Sequence, residues 1–457
     1  MSALGPKLAV ADINGDGLDD FYVCGAKGTV GKLFQQTAEG QFIETNKEEF
    51  AGNSIYEDVN AVFFDADGDH DNDLYVVSGG NESSGNDPAL RDRLYINDGS
   101  GVFHKKELPV IFENKSVAVP ADVDHDGDLD LFVGGRVVAG RYGDIPHSCL
   151  LINNGKGDFQ IAEEERAPGL RSVGMVSDAV WTDINNDGWK DLVIVGEWMP
   201  VTIYLNNKGL LRNATLDFGL SHTNGLWTSI NAIDMEGSGY EDLFIGNWGT
   251  NSKLQASFDY PLLLYSGDLD QNGEYDQLMS HAVNGKYFLF AGKEELEKSF
   301  PAIIKKKFLD YKSMAGLTTS DILGARLQGM KKASVEMLTS VRIRNRSGVL
   351  TPEALPLPVQ WSPVFAFATG DFDKNGTADI ITAGNFFGVT PFEGRYDAGY
   401  GTVLLNDRSS FTALFPLYSG LSLDGEIRDI KKISIRNKEF YLFARNNGNL
   451  SIYQNIK

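Results

Sequence analysis

Seven times along this chain an aspartate opens a nine-residue loop with oxygen-bearing side chains at positions one, three, five and nine. The first four sets are Asp12, Asn14, Asp16, Asp20; Asp65, Asp67, Asp69, Asp73; Asp122, Asp124, Asp126, Asp130; and Asp183, Asn185, Asp187, Asp191. Then come Asp234, Glu236, Ser238, Asp242; Asp268, Asp270, Asn272, Asp276; and Asp371, Asp373, Asn375, Asp379. Asp, Asn and Gly favour turns in any protein, so one such loop would say little. Seven in register point to Ca²⁺, a hard cation that takes roughly six to eight oxygen ligands. Position six is glycine in six of the seven, which suits a sharp turn aiming side chains inward. No loop has a glutamate at position twelve and none is flanked by amphipathic helices, which excludes an EF-hand.

The flanks are short β-rich runs, such as Leu8 to Ala11 and Phe21 to Val23 around the first loop. A glycine turn and a third run follow, as in Arg93 to Asn97 and Val201 to Asn207, and then a tight turn and a fourth, as at Phe103 or Phe159. Four antiparallel strands repeated many times make an all-β propeller.

The chain here resembles the FG-GAP/VCBS repeat family, whose blades carry this Asp-rich loop between their first two strands. A closer likeness, to bacterial surface proteins associated with ASPIC/UnbV and cartilage acidic protein, rests on Gly196 to Pro200, Asn251 to Lys253 and Glu393 to Asp397. No ASPIC/UnbV segment is visible, so only the propeller part is implied. The resemblance extends to integrin-α-type propellers and implies a non-enzymatic binding or adhesion module.

The loop aspartates at 12, 65, 122, 183, 234, 268 and 371 are spaced 53, 57, 61, 51, 34 and 103 residues apart. A four-stranded blade needs roughly 40 residues. Asp234 and Asp268 are therefore assigned to one enlarged blade, and a tail unit without a metal loop, from Ile427 to Tyr453, completes seven. Eight is the alternative if Asp268 opens its own blade. One propeller then uses residues 1–457 as a single domain. A helical insertion is expected over about 293–338, where Leu296, Phe300, Ile303, Ile304, Phe308 and Tyr311 fall at helical spacing, packed against the propeller rim. The last unit shows three strands. An upstream strand is expected to close it, making the chain a fragment of a larger protein with possible upstream domains.

Twenty-three of the 63 acidic residues occupy loop ligand positions, so part of the net charge of −22 is directed at metal. The remainder argues against nucleic acid. No apolar run is long enough to span a membrane. The first residues lack the features of a signal peptide. Loops of this kind fill readily where Ca²⁺ is millimolar, so the expected location is extracellular, cell-surface or periplasmic, with any leader upstream. Structural Ca²⁺ is the expected cofactor, with the loops at Asp12, Asp65, Asp122 and Asp183 having the fullest ligand sets. Asp371 and Asp268 come next, and Asp234 is weakest because Ser238 stands at position five.

A binding mouth is expected on the face opposite the metal loops, where the connections between second and third strands emerge. Candidate ligand residues are Arg136, Arg141, Glu197, Trp198, Trp248, Arg395 and Tyr396. Packing between blades is favoured for the two tryptophans, and binding for Arg136 and Arg395. A protein or glycan would be the partner; a lectin-like protein is the alternative, and a hydrolase or lyase the less favoured one. Glu82, Glu197 and Asp397 are the only acid–base candidates, and the six histidines share no motif spacing.

Overall fold

A computed structural model describes residues 5–301, 303–389, 394–408 and 410–456. Eight antiparallel sheets are present among them: six of four strands, one of five and one of three. Each Asp-rich loop connects two paired strands, as between Leu8–Ala11 and Asp20–Val23, where Ala11 faces Asp20. The first strands of seven sheets are Leu8–Ala11, Asp58–Phe64, Asn114–Ala121, Met175–Thr182, Ser229–Ile233, Val364–Gly370 and Glu426–Ile435. They lie side by side in that order, and the last returns to the first. We read these seven sheets as blades around one axis.

The eighth sheet interrupts the fifth blade between its second strand, Asp242–Gly246, and its third, Val341–Arg346. It consists of Leu262–Gly267, Asp276–Val283, Lys286–Leu289 and Lys331–Val335, and the Asp268 loop belongs to it. The helical segment expected from the apolar spacing forms as short helices, among them Lys293–Ser299, Ile304–Lys307 and Thr319–Leu323. Its surroundings correct the expectation. Leu296, Phe300, Ile304, Phe308, Ile322 and Leu323 pack on Leu269 and Leu278 of the inserted sheet, so the helices serve that sheet and not the propeller rim. The insertion therefore begins well before residue 293 and contains strands.

The core lies between successive blades. Val117, Phe132 and Leu150 of the third blade meet Val176, Leu192, Ile194 and Tyr204 of the fourth in one buried cluster. Burying each large apolar side chain contributes about 1.5–3 kcal/mol, so every blade depends on both neighbours. The last blade has three strands, Glu426–Ile435, Lys438–Asn446 and Ser451–Gln454. It closes directly on the first blade: the Leu8 amide donates to Asp429 at 2.9 Å, and Ile433, Leu442 and Ala444 pack on Leu8 and Phe21.

Two polar rings complete the joint. On the metal-loop side, an amide side chain on the third strand donates to the backbone carbonyl at loop position two of the preceding blade. Asn97 reaches Ile13, Asn153 reaches Ala66, Asn206 reaches Val123, Asn345 reaches Ile184 and Asn406 reaches Met235. Asn455 reaches Phe372, and Gln36 reaches Ser434 of the last blade, so the ring has seven steps. The inserted sheet takes no part in these seven steps.

On the opposite side, each of five inner strands carries a β-bulge that leaves one residue out of register: Val59, Ser116, Ser177, Phe365 and Arg428. A bulge re-aims its side chain, here across to the next blade or toward the axis. Ser116 Oγ donates to the Val176 carbonyl at 2.8 Å and Ser177 Oγ to the Trp227 carbonyl at 2.7 Å, each in the following blade.

Candidate metal loops and the central mouth

Position six of every Asp-rich loop has a left-handed backbone, from φ 72° at His70 to φ 98° at Gly127. That turn points the position-six N–H back at the first aspartate; Gly188 donates to Asp183 at 2.7 Å and His70 to Asp65 at 3.0 Å. Glycine adopts this conformation without steric cost, and His70 shows that the loop is built even where it must be imposed.

Position nine does more than the sequence suggests. Asp20, Asp73, Asp130, Asp191 and Asp379 are buried, and each accepts two backbone N–H bonds. One donor is loop position two and the other is the third-strand amide residue of the same blade, so this carboxylate ties loop to sheet. Burial pushes Asp20 up to about 6 and Asp73, Asp130 and Asp191 up to about 7.

Three carboxylates converge within 4.8 Å in four loops: Asp65, Asp67 and Asp73; Asp122, Asp124 and Asp126; Asp268, Asp270 and Asp276; and Asp371, Asp373 and Asp379. Buried oxygens of Asp67, Asp122, Asp124 and Asp270 have no hydrogen-bond partner. An orphaned anionic oxygen facing other carboxylates fits a bound cation, and an all-oxygen set fits Ca²⁺. One competitor is present: Arg166 pairs with the other oxygen of Asp124. At Asp12 and Asp183 no such acidic triad forms among the described residues. There the amides of Asn14 and Asn185 donate to Asp16 and Asp187 at 3.0 and 2.9 Å.

The Asp234 loop differs in kind. Arg342, on the third strand of the same blade, donates through Nε to Asp242 at 3.0 Å and through Nη2 to both Asp242 and Glu236. Arg344 also pairs with Glu236, and its hydrogen bond holds that carboxyl below the usual range. A guanidinium thus lies among the carboxylates of this loop.

The mouth lies on the opposite face, at the starts of the inner strands. Val59, Ser116, Ser177 and Phe365 from four bulges line it, with Lys7, Thr228 and Trp227. Arg136 and Glu197 come from the ends of the second strands Asp130–Val137 and Asp191–Met199, and not from loops as expected. Trp248 and Phe386 complete an aromatic wall, their ring centroids 5.1 Å apart.

The predicted ligand residues thus separate. Arg136 is only 5 % exposed and its Nη2 donates to Glu197 at 2.5 Å. The other Glu197 oxygen accepts from Tyr142 at 2.6 Å, and Tyr142 accepts from the Trp198 indole at 2.7 Å. Trp198 is buried against Met175, Leu226 and Leu262, which places it in packing and not in the mouth. Arg141 stacks on Tyr275 at 4.9 Å and pairs with Asp144 at 2.8 Å, linking the third blade to the inserted sheet. Tyr396 is buried with Phe365 and Phe386. Arg395 is largely exposed, lying over the Phe387 ring at 3.8 Å and 3.7 Å from Asp397. Glu393 lies outside the described residues.

The acid–base candidates do not form a pair: Glu82 binds Lys27 at 3.3 Å, Asp397 faces Arg395, and Glu197 is neutralised by Arg136. Sequence reasoning missed Lys7, Trp227 and the bulge residues. A signal existed: Val59, Ser116, Ser177, Thr228 and Phe365 each stand six positions before a loop-opening aspartate.

Antiparallel sheets set side by side in a closed ring, with Asp-rich loops on one face, define a β-propeller. The FG-GAP-like repeat family matches residues 12–76, 65–133 and 183–245, so the β-propeller carries FG-GAP-like repeats. Among curated proteins none matches. Among solved structures, the biofilm matrix protein Bap1 of V. cholerae is similar at 11 % identity, TM-score 0.41, covering 100 % of this chain and 88 % of that one. BBS1N in complex with ARL6DN, soaked with mercury, is similar at 10 % identity, TM-score 0.44, covering 100 % and 94 %. Likenesses at that score carry no argument about what this protein does.

Proposed function

We propose that the protein is a calcium-stabilised, extracellular or periplasmic binding or adhesion module, whose ligand enters the central mouth on the face opposite the metal loops. The observation that carries this reading is the mouth itself. Bulges in four inner strands bring Val59, Ser116, Ser177 and Phe365 to one axis, where Trp248 and Phe386 form an aromatic wall beside the buried Arg136. Calcium belongs to the scaffold: the converging carboxylates of the loops at Asp65, Asp122, Asp268 and Asp371 would hold it, and the Asp12 and Asp183 loops would add the amide oxygens of Asn14 and Asn185 to their carboxylates. Once bound, the ion offsets carboxylate repulsion and fixes the turn between first and second strands.

The bulge residues bear on the choice between one site and many. A lectin with a site in every blade would repeat one side-chain set, whereas Val59, Ser116, Ser177, Phe365 and Arg428 differ in size and charge. That variety favours a single asymmetric mouth. Glu197, Glu82 and Asp397 are each paired with a different base, Arg136, Lys27 and Arg395, which favours binding over hydrolysis. A glycan array and a peptide array, each probed with and without chelator, test the proposal. Saturable capture that disappears in Trp248→Ala while the fold persists supports it; capture indifferent to that change places the binding surface elsewhere.

A further inference from the structure

We infer that the mouth recognises a carboxylate, an inference that rests on the mouth being a binding site and names the chemistry it takes. Arg136 is nine-tenths buried, yet only Nη2 has a partner; Nε and Nη1 are buried without one. The indole N–H of Trp248 is likewise buried and unpartnered, and both residues line the same cavity. A buried donor without an acceptor destabilises the fold, and a cavity holding several such donors calls for a group made only of acceptors. An ionised carboxylate is that group, because its oxygens only accept and each can take one of the free donors.

Charge and size agree. The charged residues of this cavity, Lys7, Arg136 and Glu197, sum to +1 in a chain of net charge −22. The acidic loops lie on the other face, and Asp178 stands close enough to Lys7 to feel its charge, so Arg136 is the cation with unpartnered donors in the cavity. The cavity is narrow, about 40 Å³, with room for a head group and not for a whole sugar or peptide. Trp227, Phe365 and Phe386 supply the apolar walls. The carboxylate enters, and the rest of the ligand stays outside.

Calorimetric titration of the full chain at constant ionic strength, with calcium present, tests this. The probes are acetate, its neutral isostere acetamide, glucuronate as an acidic sugar, and N-acetylglycine as a peptide terminus. Acetate should bind saturably and acetamide at least tenfold more weakly; the stronger of the two larger acids identifies the source of the carboxylate. Trp248→Phe keeps an aromatic wall and removes one donor, and should weaken acetate about fivefold or more. Arg136→Gln should abolish binding, and its melting curve shows whether it remains folded. Equal binding of acetate and acetamide, no saturable binding, or unchanged affinity in Trp248→Phe would overturn the inference. Neutral ligands captured at a Trp248-dependent mouth that ignores acetate would reject the carboxylate and leave the binding reading standing.

Discussion

The loops at Asp122 and Asp234 share a turn and a buried position-nine aspartate, yet they manage their negative charge in opposite ways. At Asp122 three carboxylates converge and two buried oxygens, on Asp122 and Asp124, have no hydrogen-bond partner. At Asp234 the guanidinium of Arg342 lies between Glu236 and Asp242, and Arg344 reinforces it. On the proposed reading, six of the seven Asp-rich loops leave their carboxylates to a metal ion, while at Asp234 two arginines of the third strand supply the positive charge. Ser238, which removes an oxygen-rich ligand at position five, fits the same substitution of arginine for metal.

Five measurements can break or sharpen this comparison. The largest effect belongs to chelation. A ligand bound only to the folded state stabilises by roughly 2.7 kcal/mol per site at 100 times its Kd, and several loops act together. Thermal melting in excess chelator should therefore drop by many degrees, and an unchanged curve would remove calcium from the account. Next is Arg342→Met, which strands Asp242, whose side chain is 4 % exposed, beside Glu236. Removing one partner of a buried pair costs about 3–5 kcal/mol. Millimolar Ca²⁺ should recover part of that loss in the variant and add nothing at this loop in the parent, as denaturant titrations at both conditions would show.

Smaller effects address the joints. Asn206→Ala leaves the buried Val123 carbonyl without its partner and should cost about 1–3 kcal/mol. The same change at an exposed loop amide, Asn185→Ala, should matter only in the presence of calcium. Last is Ser177→Ala at the bulge, which removes the bond to the Trp227 carbonyl; about 1 kcal/mol is expected by chemical denaturation. An effect several times larger would mean that the bulge itself collapses.

What was legible in the sequence was what is contiguous. Each loop with its two flanking strands spans a short stretch, so the Asp-rich repeat and the propeller could be read, whereas Asp268, expected in one blade with Asp234, lies in a sheet of its own inserted into that blade. Contacts between blades could not. Arg136 seemed an exposed ligand because its partner Glu197 stands 61 residues away on another sheet. Its replacement by alanine, which on sequence alone should spare stability, would instead leave a buried carboxylate unpaired and destabilise the fold. Arg342 is 108 positions beyond Asp234, with the whole insertion between them, so no local pattern linked the two. The helices of residues 293–323 were visible from their spacing, but their docking surface is a sheet whose strands flank them on both sides.

The most direct test is an anomalous difference map from crystals grown in millimolar CaCl₂, measured at a wavelength where calcium scatters anomalously. The account predicts peaks inside the loops at Asp65, Asp122, Asp268 and Asp371, and none at Asp234, where Arg342 should remain between Glu236 and Asp242. A calcium peak at Asp234 with Arg342 displaced, or empty carboxylate triads at Asp65 and Asp122, would contradict it.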